Sequence, residues 1–205
     1  MLFRERKDIV MARIGFKIAM YNQIVNNAYK TLGTGGVPVF EKVIDEKFAP
    51  EYNNAELYAN DALAECDYSF KKGTLSLTVA DDKDELCAEL FGNDITEAGE
   101  VTSKITDNAP EFGYGHVIPK IVSGVRAYKV EFFPRVKFTE ITGDNKTRAE
   151  NVEFGTTALK GIVYPVDTAI NGIASGVWEK HQTFDTLEKA VTYLTGLLTP
   201  VSSGT

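Results

Sequence analysis

A mainly β fold, a β-sandwich or partly open barrel with one or two packed α-helices, is what this sequence predicts. Two observations carry the expectation. Apolar and polar residues alternate with period two over long stretches, above all residues 62–71, 74–80 and 126–138. Helical periodicity is confined to two segments that together hold about a tenth of the chain, against the usual third.

The first strand is expected within MARIGFKIAM, where Ile14, Phe16 and Ile18 alternate, and another across Pro38–Phe48. From Ala62 the even positions are Ala62, Ala64, Cys66, Tyr68 and Phe70, and the odd ones Leu63, Glu65, Asp67, Ser69 and Lys71. That is a strand pattern in spite of the helix-forming composition. TLSLTVA follows, with Leu75, Leu77 and Val79 on one face and Thr74, Ser76 and Thr78 on the other. A hairpin closed at Lys72–Gly73 sets Phe70 opposite Leu75, Tyr68 opposite Leu77 and Cys66 opposite Val79. A slip of one residue would oppose apolar to polar throughout. The expected hairpin therefore has one apolar face and one acidic, hydroxyl-lined face bearing Glu65, Asp67, Ser69, Ser76 and Thr78.

The first helix is predicted over Asp82–Phe91. Asp81, Asp82, Asp84 and Glu85 suit its N-terminus, Leu86, Cys87, Leu90 and Phe91 form its apolar face, and Gly92 ends it. In RAYKVEFFPRVKF the apolar set is Tyr128, Val130, Phe132, Val136 and Phe138, opposite Lys129, Glu131, Arg135 and Lys137, with Phe133 the exception. Pro134 implies an edge or a bulge there. ITGDNKTRAEN reads as a turn leading into VEFG and ALKGIVYPV, and a last strand is expected in SGVWEKHQTF. The second helix is predicted from about Thr186 to Leu198. Asp185 with Glu188 resembles a capping box, Leu187, Ala190, Val191, Leu194, Leu197 and Leu198 form the buried stripe, and Pro200 stops it. Roughly seven or eight strands result.

The 205 residues suffice for one well-buried core. A single domain is expected over 11–199, with 200–205 a flexible tail. Residues 1–10 are expected to be an N-terminal extension that the natural product, starting at Met11, lacks. No apolar run approaches the ~20 residues needed to cross a bilayer. Cys66 and Cys87 form no CxxC pair and read as buried or half-buried thiols. The net charge of −7 is uneven: residues 1–40 carry +4, 41–100 carry −11 and 101–205 carry 0. Such a balance argues against a nucleic-acid clamp, which needs clustered Lys and Arg.

No motif carries catalysis. GTGGVP lacks the Lys-Ser/Thr and the helix of a phosphate loop, and DDKDE has Leu86 where a calcium loop needs Gly. GYGH reads as a loop bearing His116, while His181 falls on the last strand. Asn145-Lys-Thr147 is a glycosylation sequon with meaning only in a secretory pathway. Neither an enzyme nor a cofactor or metal site is expected.

The segments MARIGFK, NAELYANDALAE, DELCAELFG, RAYKVEFFPRVKF, VEFGT and the closing W-x₅-FDTLEKAVTYL resemble the major tail tube protein of long, non-contractile-tailed bacteriophages, of the type found in phages of Gram-positive hosts. The resemblance runs from about Met11 to Leu198. It implies a subunit without enzymatic activity or cofactor, assembled in the host bacterial cytoplasm and resident in the virion tail. Six copies would form a ring, their strands joined into one barrel. The rings would stack around a tape-measure protein between tail terminator and distal tail proteins, and DNA would later pass without specific binding. On that basis Glu65, Asp67, Ser69, Ser76 and Thr78 are expected to face the lumen, where six copies at −7 give a wall that repels DNA weakly within a Debye length of ~8–10 Å. Lys129, Arg135 and Lys137 are the expected inter-subunit residues, docking on an acidic neighbour. The competing classes are a β-sandwich carbohydrate- or cell-surface-binding module, which calls for clustered exposed aromatics, and the tube protein of a contractile injection system.

Overall fold

The structure is a computed structural model, and it describes residues 11–13, 15, 17–59, 62–80, 83–144 and 156–201. Expectations for residues 1–10, Ile14, Phe16, Asp81, Asp82, the sequon Asn145–Thr147, VEFG and the last four residues lie outside them. The fold is mainly β, with one large antiparallel sheet and two helices. The first half supplies β1 (Met11–Arg13), β2 (Ile18–Val25), β3 (Ala28–Tyr29), β4 (Val39–Phe40), β5 (Val43–Tyr52), β6 (Ala55–Ala59), β7 (Ala62–Asp67), β8 (Phe70–Val79) and α1 (Asp84–Phe91). The second half supplies β9 (Asp94–Ile95), β10 (Val101–Thr102), β11 (Glu111–Val122), β12 (Val125–Asp144), β13 (Thr156–Val163), β14 (Lys180–Phe184) and α2 (Leu187–Leu198). The main hydrogen-bonded path is β3-β2-β11-β12-β13-β8-β5, with β1 beside β11, β14 beside β12 and β4 beside β2.

The sheet curls without closing. Tyr114 on β11 donates its hydroxyl to Glu46 Oε2 on β5 at 2.8 Å, although three strands separate β11 from β5 along the path. Inside the curl lie Tyr21, Leu75, Leu77, Val79, Phe112, Tyr114, Phe133, Val136, Phe138 and Leu159, with Leu90 of α1. On the opposite face, α2 buries Ala190, Leu194 and Leu198 against Val117, Val130 and Phe132. Each fully buried leucine there stabilises the fold by about 2 kcal/mol.

Both helices form where their periodicity places them, one or two residues late at the start. Thr186 caps α2 by accepting from the Lys189 amide, and Asp185 pairs with the Lys189 ammonium at 2.7 Å instead of completing a box with Glu188. Lys83 stands at the N-cap of α1 with no side-chain cap, and Gly92 ends that helix at φ 72°.

Pro134 marks a bulge in an interior strand. Phe112 pairs with Val136 and Tyr114 with Phe133, so Pro134 and Arg135 together oppose Gly113. The extra residue reverses the parity of β12. Upstream, Val130 and Phe132 face α2; downstream, Val136 and Phe138 join Phe133 inside the curl. Phe133 is thus no exception, because both faces of the strand are buried.

The hairpin expected at Lys72–Gly73 does not form, and this overturns the register built on it. β8 runs unbroken from Phe70 to Val79, between β5 and β13. Leu75 pairs with Phe48 and Gly161, and Leu77 with Glu46 and Leu159. Residues 62–67 do form a strand, but it pairs with β6, from Ala55↔Asp67 to Ala59↔Ala62. Asn53 joins the two pairs, donating its amide to Ser69 O at 2.7 Å and its Nδ2 to Ser69 Oγ at 3.1 Å. The β5–β8 and β6–β7 pairs therefore follow one another along the chain, and no reversal falls at Gly73.

Candidate functional site

The expected lumen face divides between two places. Ser76 is exposed on the outer face of the main sheet, in register with Lys47 and Lys160, and Thr78 is half-buried between Asp45 and Ala158. Glu65 and Asp67 belong to β7, in the β6–β7 pair, and Ser69 sits at the junction. Acids and hydroxyls were expected on one face because the alternation of both segments is real and mutually consistent. Alternation fixes which side chains share a face of one strand, however, and not which strands pair. The outer face of β5-β8-β13-β12 is hydroxyl-rich and of mixed charge, with Thr74, Ser76 and Thr78 in one row and the Lys160–Glu140 pair at 3.4 Å beside it.

The basic row is likewise not a row, because the bulge separates Lys129 from Arg135 and Lys137. Each has a partner within the chain. Lys129 pairs with Glu131, and Lys137 donates to Asn108 Oδ1 at 2.8 Å. Arg135 grips Glu111 with two hydrogen bonds of 2.8 Å and reaches Asp167 at 2.8 Å, tying the bulge to the start of β11 and to the loop after β13.

Two features remain as candidates. One is the rim of the sheet. β5 pairs with β8 alone among the described strands, which leaves its other side open over ten residues. Beyond it the β6–β7 arm is hydrogen-bonded to no other described strand, and Glu56, Glu65, Cys66 and Tyr68 on it are exposed. Cys66 is therefore exposed and not the buried or half-buried thiol expected, whereas Cys87 is half-buried as expected.

The other is a cleft of about 530 Å³ between β5 and the β11–β12 pair, walled by Phe48, Tyr52 and Trp178. Its floor is an ionic chain that sequence reasoning missed. His116 lies at the centre of β11, buried, not in a loop. Its Nδ1 is 3.0 Å from Glu46 Oε1 and its Nε2 donates to Glu131 Oε2 at 3.2 Å. Lys129 donates to the other oxygen of Glu131 and Tyr114 to the other oxygen of Glu46. Burial opposes the charge on His116, but its hydrogen bond to Glu131 and the Glu46 carboxylate 3.0 Å from Nδ1 prevail and push its pKa up to about 8. Burial also works against the Glu131 carboxylate; His116 and Lys129 overcome it and hold that group at about 2. Burial, then the Glu46 charge, drives the Tyr114 phenol well above its usual range, so it stays a donor. The available signal was polar residues on the inner parity of two long strands, His116 directly across from Glu131.

Trp178 is no open sugar platform, since it stacks on Phe70 at 4.0 Å with Phe48 behind. Among the described residues no group of three His, Cys, Asp or Glu is placed to hold a metal ion, and no helix is long and apolar enough to cross a membrane. No family model and no curated protein matches the chain.

Proposed function

We propose that this chain is a self-assembling structural subunit, the tube protein of a long non-contractile phage tail. The observation that carries the reading is the open ten-residue side of β5 together with the arm beyond it. A long exposed strand edge is a hazard in a lone molecule. In a cyclic assembly the edge is covered by a neighbour, through a heterologous contact that closes when the rotation does. The run β12-β13-β8-β5 is what each subunit would lend to the common barrel. Six such runs make a 24-stranded wall with a backbone diameter of roughly 45–50 Å, at ~4.8 Å per strand and a tilt near 40°. Side chains on that wall leave room for a DNA duplex. Ser76 and Thr78 would then face the lumen, and Glu65, Asp67 and Ser69 would go with the arm. Tape-measure protein inside, terminator and distal proteins at the ends, and DNA in transit are the partners of this reading, in the virion tail.

The resemblance noted in the sequence and the mixed charge of the described residues on the outer face of the run point the same way. A wall of hydroxyls and mixed charges, in which acids stand among the lysines, offers DNA little counterion-releasing grip. Negative-stain microscopy of the purified protein tests the reading. Rings or tubes with a central channel are expected, and monodisperse monomers at high concentration would end it.

A further inference from the structure

We propose that Glu46, His116 and Glu131 form a proton-operated latch that holds the β5 end of the curled sheet down on β11 and β12. His116 joins three strands, beside the Tyr114–Glu46 hydrogen bond that joins β11 to β5. It stands on β11, between a carboxylate of the edge strand β5 and one of β12, at 3.0 and 3.2 Å. β5 has no strand partner other than β8 among those described, so it is fastened across the curl by the cleft floor and by the packing of Val43 and Phe48, the latter on Phe133 and Trp178.

The charge count gives the switch its sign. The groups facing His116 are Glu46 and Asp45 from β5, Glu131 and Lys129 from β12, Tyr114 from its own strand and Glu179 ahead of β14. Asp45 is exposed and Glu179 sits at the rim beside His181, so the enclosed set is Glu46, Glu131, Lys129 and His116. With His116 protonated that set is neutral. Without the proton it holds an uncompensated negative charge, and Glu46 and Glu131 lose the cation between them. A buried unbalanced charge is costly, and opening the β5 side to water is the route that relieves it while leaving β11 and β12 paired. The whole rise of His116 from 6.5 to about 8 corresponds to about 30-fold, and because Glu131 stays beside it when β5 lifts, the loss of Glu46 changes the closing equilibrium by only part of that factor. The latch belongs to the single subunit and stands whether or not subunits assemble.

Hydrogen exchange of the intact chain at about pH 6 and about pH 9, corrected for intrinsic rates, tests it. Amides of residues 43–52 should lose protection relative to those of β12 at the higher pH, several-fold and by no more than about 30-fold. In His116→Gln, β5 should be weakly protected at both pH values. Glu46→Gln removes only the β5 charge from the bridge while keeping the side chain's shape; it should lower β5 protection at the lower pH even where His116→Gln does not fold. Protection of β5 that is the same at both pH values, or lost together with β11 and β12, overturns the proposal.

Discussion

The ring of Phe48 occupies the space where a side chain on Gly73 would begin: a Cβ built on Gly73 stands 2.3 Å from Phe48 Cε2. Phe48 cannot retreat easily, because Phe133 lies 4.6 Å away on one side and Trp178 packs on the other. Gly73→Ala is expected to destabilise the fold by about 1–3 kcal/mol, the usual range for overpacking. Urea unfolding measures it, and in a Phe48→Leu background the same substitution should cost less, since the two share one space.

That contact also explains the largest misreading. Lys72–Gly73 looks like a turn, since glycine between two alternating segments usually is one. Here the glycine serves close approach inside a continuous strand, a role visible only once β5 lies across β8. The two helices were legible because their stripes and caps are local. The bulge at Pro134 was legible as a bulge, but not its effect on parity, which needed the buried face on either side. His116 was misplaced for a related reason. Glycines 113 and 115 suggest a loop, yet a Cβ on Gly115 would lie 2.4 Å from Leu194 of α2, so that glycine admits the helix to the sheet. Nonlocal packing, absent from any local pattern, decided all three.

Arg135→Lys is expected to destabilise by about 1–2 kcal/mol, although charge is kept. A lysine cannot supply the fork that meets both oxygens of Glu111 while a third nitrogen reaches Asp167. Thermal unfolding would show the loss. An unchanged midpoint would mean the clamp is replaceable by a point charge.

The arm separates folding from assembly. Tyr52 pairs with Phe70, so replacing residues 54–68 by a short turn leaves β5 and β8 joined as an ordinary hairpin. The expected product unfolds near the parent midpoint, since it retains both cores. If the arm reaches a neighbouring copy, its removal abolishes tubes in negative stain while leaving monomers or single rings. Tubes of normal length from the shortened chain would show that the arm contributes nothing to stacking.

The pH dependence of stability follows from His116 with a definite sign. Its folded pKa, about 8, lies above the unfolded value near 6.5. The stabilisation it brings is therefore complete below pH ~6.5 and lost as pH rises through ~8. A shift of that size corresponds to about 2 kcal/mol, a substantial part of the 5–15 kcal/mol that holds a typical domain together. Glu131 acts in the opposite sense. Held at about 2 against an ordinary 4.5, its contribution is present above pH 4.5 and fades as pH falls toward 2. Both contributions are at full strength between about pH 4.5 and 6.5, toward the acidic side of the range where stability usually peaks. Urea midpoints taken from pH 4 to 9 would trace both limbs. In His116→Gln the fall between pH ~6.5 and ~8 should vanish while the acid limb survives, because glutamine has no proton to lose in that interval and Lys129 still holds Glu131.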